Sequence, residues 1–235
     1  MKHIYLITII SLLISCSPKQ EIKLTKLTGS PEYSDSELKL ISVGGEFDFS
    51  FDIINYNLGE QTEDAIENGL ANSAKGQHIH FIINNDPYSA HYNSNFSKEL
   101  KNDNNVILAF LSRSYHESVK NEKAYVLTQI SNDKSKEIDL TKQFLFYSRP
   151  KGVYKGEDTK KLLLDFYLVN TDISPNGNKV RLTVQEKEFI IDSWAPYFLE
   201  GLEKGEVNLK LELIDEKNNL IKTEFNPSYR KVILE

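Results

Sequence analysis

The chain has 235 residues, of which 28 are Lys or Arg and 34 are Asp or Glu, giving a formal net charge of −6. A mildly acidic chain without a basic block is a poor binder of nucleic acid, because phosphate contact needs clustered Lys and Arg. The single cysteine excludes a disulfide within the chain, and the length suits two domains of about 100 residues each.

The N-terminus has the pattern of a bacterial lipoprotein signal peptide. Lys2 precedes an apolar run over 4–14, and Ser15 and Cys16 follow that run. The run is shorter than the roughly 20 residues of a transmembrane helix, whereas its charged start and small-residue end are typical of a processed signal. We therefore predict cleavage of residues 1–15 and lipidation of Cys16. The alternative is a plain secretory signal cleaved elsewhere, with Cys16 incidental.

Residues 16–34 are polar and mixed in charge, and we expect them to form a lipidated tether. No later apolar run is long enough to span a bilayer, so the lipid would be the membrane anchor. The residues that follow Cys16 carry no acidic run. We expect attachment to the outer membrane on its periplasmic side, with the cell surface as the alternative.

The remainder of the chain contains two copies of one pattern. The matching blocks are 47–58 with 162–173, 76–83 with 177–184, Tyr92, Phe96 and Leu100 with Trp194, Phe198 and Leu202, and 106–110 with 207–211. Chance alignment of apolar alternation is the alternative. The shared Asn55 and Asn170, and the shared Gly76 and Gly177, favour a tandem duplication.

The blocks alternate apolar and polar residues with a period of two, which is typical of strands with one buried face. Turn-forming sequences at 102–105, 172–177 and 215–219 separate them. This pattern predicts an all-β chain of two tandem immunoglobulin-like antiparallel β-sandwiches. We place them at 35–148 and 149–235, with the linker near 148–152. Single helical turns are expected within 95–100 and 196–202.

Four segments resemble a family of two-domain lipoproteins from Flavobacteria and other Bacteroidetes. They are 76–88, 109–117, 146–152 and 161–167. Some members of that family are labelled phosphopeptide-binding. The resemblance implies an envelope location and carries over no specific activity.

Four histidines lie in the first copy, and they are candidate metal ligands: His78, His80, His91 and His116. Residues i and i+2 of a strand share one face about 7 Å apart, so His78 and His80 would point outward while Ile79 enters the core. Two such imidazoles can chelate Zn or Cu, with His91 or His116 as a third ligand. The alternative is that the rings make structural hydrogen bonds or line a groove without metal, and that His116 is a solvated loop residue.

Six further side chains are candidate ligand contacts: Tyr88, Tyr92, Arg149, Lys151, Trp194 and Tyr197. Arg149 and Lys151 could hold an anionic group at the domain junction by charge-assisted hydrogen bonds, or serve as interdomain structure. Trp194 and Tyr197 could stack on a sugar or peptide, or be tucked into the core.

No nucleophile elbow, phosphate-binding loop or dinucleotide-binding motif occurs in the sequence, and we expect a protein that is not an enzyme. Two hypotheses follow. The first is a membrane-tethered, non-catalytic module that binds an envelope protein, peptide or glycan. The second is a periplasmic metal-binding protein, which requires the imidazoles to converge within about 4–5 Å.

Overall fold

The computed structural model describes residues 21–235 apart from Glu46, Asp64, Ile66 and Lys101, so the predicted signal peptide and Cys16 lie outside the described residues. Two short 3-10 helices, Lys134–Lys136 and Gly156–Thr159, interrupt a chain of β-strands. Within this described part, no helix is long and apolar enough to cross a membrane.

The strands are β1 Lys23–Lys26, β2 Glu37–Gly44, β3 Asp48–Ile54, β4 His78–Ile83, β5 Ser89–His91, β6 Asn95–Ser97, β7 Asn104–Ser112, β8 Tyr125–Ser131, β9 Phe144–Arg149, β10 Gly152–Tyr154, β11 Lys161–Val169, β12 Lys179–Val184, β13 Lys187–Ile191, β14 Tyr197–Glu200, β15 Gly205–Ile214 and β16 Ser228–Leu234.

The strands form two β-sandwiches, which confirms the predicted fold. The N-terminal sandwich consists of the sheets β2-β3-β6 and β5-β4-β7-β8. The C-terminal sandwich consists of β1-β14-β11-β9 and β10-β16-β15-β12-β13. Strand pairing is antiparallel in both, except that β10 runs parallel to β16.

The two sandwiches share one strand order, as a tandem duplication predicts. The sheet β2-β3-β6 corresponds to β9-β11-β14, and β5-β4-β7-β8 corresponds to β13-β12-β15-β16. The equivalent residues Asn55 and Asn170 both end a strand in the left-handed region, with φ of 53° and 55°. Asparagine tolerates this conformation better than most residues. The same backbone conformation therefore explains why asparagine occurs at both positions.

The sheet membership of two strands differs from the sequence-based boundaries. β9, which was placed in the first domain, pairs with β11 of the C-terminal sandwich. β1, which was placed in the tether, pairs with β14 of the same sandwich. Apolar alternation shows that a strand exists, but it does not show which sheet edge the strand joins.

The expected helical turns within 95–100 and 196–202 are wrong, because both segments contain short strands, β6 and β14. At the end of β14, Gly201 has a φ of 79° and approaches Glu21 so closely that a Cβ atom would collide with its backbone. This glycine allows the segment before β1 to dock against the C-terminal sandwich.

A third apolar core lies between the two sandwiches. Its buried members are Ile82, Tyr88, Val106, Leu108, Phe110, Phe144, Phe146, Tyr167 and Val169. Strands β4, β7, β9 and β11 are therefore covered on both faces, since their alternate residues fill the core of their own sandwich. The outward face of β4 thus lies in a buried interface.

Candidate functional site

Strand β4 places two histidines at the junction between the sandwiches. Ile79 and Phe81 point into the N-terminal core, as the alternation predicts. His78 and His80 point the other way, and both have 0% exposure. The two histidines do point out of the N-terminal core as predicted, but the C-terminal sandwich covers the face on which they lie.

His116 lies in a tight turn that follows β7. Ser112 and Ser118 form a β-bridge across this turn, and the His116 N–H donates to the Arg113 carbonyl at 2.9 Å. His116 adopts a φ of 71°, in the left-handed region. The interpretation as a solvated loop pair is wrong, because Glu117 is buried and forms an ion pair with Arg113 at 2.9 Å.

The C-terminal sandwich holds this turn in place. The Ser118 hydroxyl donates to Asp165 Oδ1 of β11 at 3.0 Å, and Lys120 forms an ion pair with the same oxygen at 2.6 Å. Asp165 is fully buried. The position of His116 thus depends on contacts from both sandwiches.

The three histidines converge on one point. His78 Nε2 lies 3.0 Å from His80 Nε2 and 3.0 Å from His116 Nδ1, and all three atoms fall within 4.8 Å of one another. Ligand nitrogens bonded to a tetrahedral zinc at 2.0–2.1 Å stand roughly 3.3 Å apart. Two of the three nitrogen pairs are thus near the separation of a metal-bound set, and the whole set lies within 4.8 Å.

The backbone contact of His78 fixes which of its ring nitrogens has a lone pair. His78 Nδ1 lies 2.8 Å from the Gly76 carbonyl, which can only accept, so His78 Nε2 of the neutral ring carries a lone pair. One lone pair accepts one well-aligned hydrogen bond, yet two ring nitrogens lie 3.0 Å from it. Without a metal, His80 Nε2 can donate to this lone pair while the Tyr88 hydroxyl donates to His116 Nδ1.

Burial keeps the three rings neutral. It lowers the pKa of His78 to about 4, against a partial opposing effect of the Gly76 carbonyl. Burial also holds the pKa of His80 and of His116 well below the ordinary histidine value, and the charge of Arg149 lowers both further. The neutral imidazole is the form that binds metals.

His91 does not join the other three. It pairs with Ile79 across the β4–β5 ladder, and cross-strand partners share a face, so its ring lies on the N-terminal core side. There it stacks on Phe96 with the ring centroids 3.5 Å apart, and its Nε2 lies 2.8 Å from the Ser89 hydroxyl. The structure excludes His91 from this group of ligands.

Two tyrosines pack against the histidine rings. The buried Tyr88 stacks on His80 with the ring centroids 3.5 Å apart, and its hydroxyl lies 3.2 Å from His116 Nδ1. The Tyr92 ring centroid is 5.0 Å from that of His78. Both candidate ligand contacts therefore lie at the histidine cluster, where they fix ring orientation.

Arg149 and Lys151 lie on the same tyrosine. The Arg149 guanidinium carbon is 5.4 Å from the Tyr88 ring centroid and Lys151 Nζ is 4.0 Å from it. Arg149 has 8% exposure and donates to the Tyr154 hydroxyl at 2.9 Å, while its Nε has no partner. Among the described residues, neither cation forms a salt bridge.

The two remaining aromatic candidates lie elsewhere. Trp194 donates from Nε1 to the Phe166 carbonyl at 3.0 Å, and one side of it lines a cleft of about 420 Å³ between the sandwiches. Tyr197 is buried, and its hydroxyl donates to the Ser193 carbonyl at 2.9 Å. Tyr197 is thus part of the C-terminal core.

Sequence reasoning missed the polar partners of the histidines. Ser148 Oγ lies 3.2 Å from His80 Nδ1, and Ser112 Oγ lies 3.2 Å from His80 Nε2. Such outer partners orient the rings of metal ligands. No local pattern marks Ser148, because β9 approaches β4 only through the packing of one sandwich on the other, whereas Ser112 is the cross-strand partner of His78 on β7.

Comparison with protein families and with curated proteins gives no match. Among solved structures, the chain is similar to the fibronectin(III)-like modules of Clostridium thermocellum CbhA, with 15% identity over 39% of this chain and 97% of that one and a TM-score of 0.30. The two tandem V-type regions of VCBP3, a v-region-containing chitin binding protein, show 8% identity over 91% and 99% of the chains and a TM-score of 0.26.

A third similar structure is the Bacteroides ovatus protein SGBP-B of a mixed-linkage glucan utilization locus, in complex with a heptasaccharide. It shows 10% identity over 67% of this chain and 61% of that one, with a TM-score of 0.18. These values are too low to transfer a ligand or an activity to this chain. The chain is an all-β protein of two tandem immunoglobulin-like sandwiches.

Proposed function

We propose that this protein binds a transition-metal ion, Zn(II) or Cu(II), through His78, His80 and His116. The observation that carries the proposal is the convergence of three neutral imidazole nitrogens within 4.8 Å of one another. Imidazole suits both metals. The carbonyl of Gly76 and the hydroxyl of Ser148 supply the outer hydrogen bonds that orient such ligands.

The proposed role is binding and not catalysis. In the described part of the chain, the polar contacts of the three rings go to hydroxyls, to one carbonyl and to one another, and none goes to a carboxylate. A hydrolytic metal site needs a general base beside the metal-bound water. The carboxylate next to His116 in the chain, that of Glu117, is already held by Arg113 and Ser30.

The test is metal content. Full-length protein in mild detergent is stripped with a chelator, offered Zn(II) or Cu(II), desalted and measured by inductively coupled plasma mass spectrometry beside a thermal-shift assay. We expect one equivalent and a raised melting temperature in the wild type and in the control His91→Ala. The double variant His78→Ala/His80→Ala should retain no metal. A wild type that retains none would overturn the proposal.

We also propose that Cys16 carries lipid and tethers the protein to the outer membrane. The support is the signal-peptide pattern of residues 1–16. Expression in a bacterium that processes lipoproteins, followed by detergent phase partitioning, should place the wild type in the detergent phase and Cys16→Ala in the aqueous phase. Equal partitioning of both would favour a plain secretory signal.

A second candidate function is the binding of an envelope peptide or glycan in the cleft between the sandwiches. The cleft is lined by the turn after β7, by residues before β2 and by Trp194. Because Trp194 is the only tryptophan, intrinsic fluorescence reports directly on this cleft. Titration with soluble envelope oligosaccharides and peptides should shift its emission. A spectrum unchanged throughout the series would argue against this function.

A further inference from the structure

The charge around the histidine cluster is unbalanced. Three neutral imidazoles leave a divalent ion with its full charge, and Arg149 and Lys151 add two more positive groups against the ring of Tyr88. Neither cation has an acidic partner among the residues that the structure describes. Buried charges are normally paired, because removing an ion from water costs several kcal/mol.

Tyr88 connects the cations to the histidines. His80 stacks on its ring with the centroids 3.5 Å apart, and Lys151 Nζ lies 4.0 Å from the centroid of the same ring. Lys151 also donates to the Tyr88 carbonyl at 2.6 Å. Arg149 lies against the same ring, with its guanidinium carbon 5.4 Å from the centroid, so one tyrosine separates both cations from His80.

Within the described chain, the positive charge of Arg149 lacks an acidic partner even when no metal is considered. Its side chain is more than nine-tenths buried, and a guanidinium has five N–H donors. Its partners are the neutral hydroxyls of Tyr154 and Tyr88, and its buried Nε has no acceptor. Arginine in such a position is suited to an oxyanion, which it can bind through two parallel hydrogen bonds.

We propose that the metal held by His78, His80 and His116 takes an oxyanion in its fourth coordination position, and that Arg149 and Lys151 balance the charge of this ligand. The inference rests on the proposed metal binding. Three protein ligands leave a tetrahedral ion with one open position. Carboxylate and phosphate share the required chemistry, namely a charged oxygen for the metal and further oxygens for the guanidinium.

The experiment uses full-length protein loaded with Co(II), whose visible absorption reports on the coordination sphere. Inorganic phosphate and acetate are titrated separately into the wild type, Arg149→Gln, Lys151→Gln and the control Lys204→Gln, an exposed lysine of the C-terminal sandwich. We expect a saturable spectral change with at least one anion. The anion dissociation constant should rise at least tenfold in Arg149→Gln and in Lys151→Gln, and stay unchanged in the control.

The outcomes separate the two proposals. A wild type that binds Co(II) but shows no spectral response to either anion overturns the oxyanion site and leaves metal binding intact. Replacing the buried Arg149 could disturb folding, whereas Lys151 is only half-buried, so Lys151→Gln provides a second test. Wild-type anion affinity in Lys151→Gln also contradicts the inference. Failure to bind Co(II) overturns both. Preference for acetate or for phosphate identifies the class of oxyanion.

Discussion

The neutral state of each histidine in the cluster depends on the residues that bury its ring. The sequence predicts that His78 and His80 share a face, and the i, i+2 spacing gives that result without a structure. It does not predict that the face is buried, because the covering strand β9 is distant in sequence. Nor does it predict that His116 turns toward them, which depends on a left-handed backbone at that residue.

The burial of His78 predicts a pH-dependent stability. Its pKa falls from 6.5 to about 4 on folding, so the unfolded chain takes up the proton first. The contribution is fully present above pH 6.5 and is lost as pH falls toward 4, about 3 kcal/mol for this residue. Urea denaturation with chelator at pH 7 and pH 4.5 should show the loss, and His78→Gln should reduce it. Equal pH sensitivity of both proteins would contradict the assignment.

His116 offers a way to separate metal binding from folding. It is half-buried and has a left-handed backbone that asparagine tolerates, so His116→Asn should change the free energy of unfolding of the metal-free protein by less than about 1–2 kcal/mol. Loss of one of three ligands should weaken Zn(II) at least about 100-fold, as measured by competition with a chelating dye. His91→Ala is the matched control and should retain wild-type affinity.

At the scale of elements, alternation predicts most strands, and the repeat predicts that the two halves share one strand order. The same signals do not predict partners across sheets. β9 joins the C-terminal sandwich because Leu145 and Tyr147 fill its core. The short β6 and β14 were mistaken for helical turns, since three or four residues carry too little periodicity to decide.

The turn after β7 depends on a buried ion pair, and this predicts a large cost for breaking it. Lys120→Met leaves the fully buried Asp165 without its cation, which should lower the free energy of unfolding by about 3–5 kcal/mol. Lys123→Met removes an exposed partner of Glu37 and should cost less than about 1 kcal/mol. Chemical denaturation of the two variants gives the comparison, and similar costs would refute the role assigned to Asp165.

At the scale of the whole molecule, the histidine cluster belongs to neither sandwich alone. β4 and the turn after β7 supply the ligands, whereas β9 and β11 supply their cover and their braces. The interface core between the sandwiches makes the two halves one packed unit. The sequence repeat therefore predicts the strand order of the two sandwiches correctly. It does not predict a site formed at the junction between them.

Disrupting this interface should affect stability and metal binding together. Phe146→Ala removes a fully buried ring of the interface core and should cost about 3–5 kcal/mol. Because the ring contacts of Phe146 are with Phe144 and Phe225, a parallel fall in Zn(II) affinity would show that the packing of the sandwiches positions the ligands. Denaturation and dye competition on the same preparation measure both. Unchanged affinity would show that the N-terminal sandwich orders the ligands alone.

The pairing of β1 with β14 determines which sandwich lies next to the lipid proposed on Cys16. Six residues separate Cys16 from Lys23 at the start of β1. The chain between a lipidated Cys16 and β1 therefore spans at most about 25 Å. Its first fixed point is the C-terminal sandwich. If Cys16 carries lipid as proposed, the half that is synthesised last is the one closest to the bilayer, and the length of this segment limits how far the protein extends from the membrane.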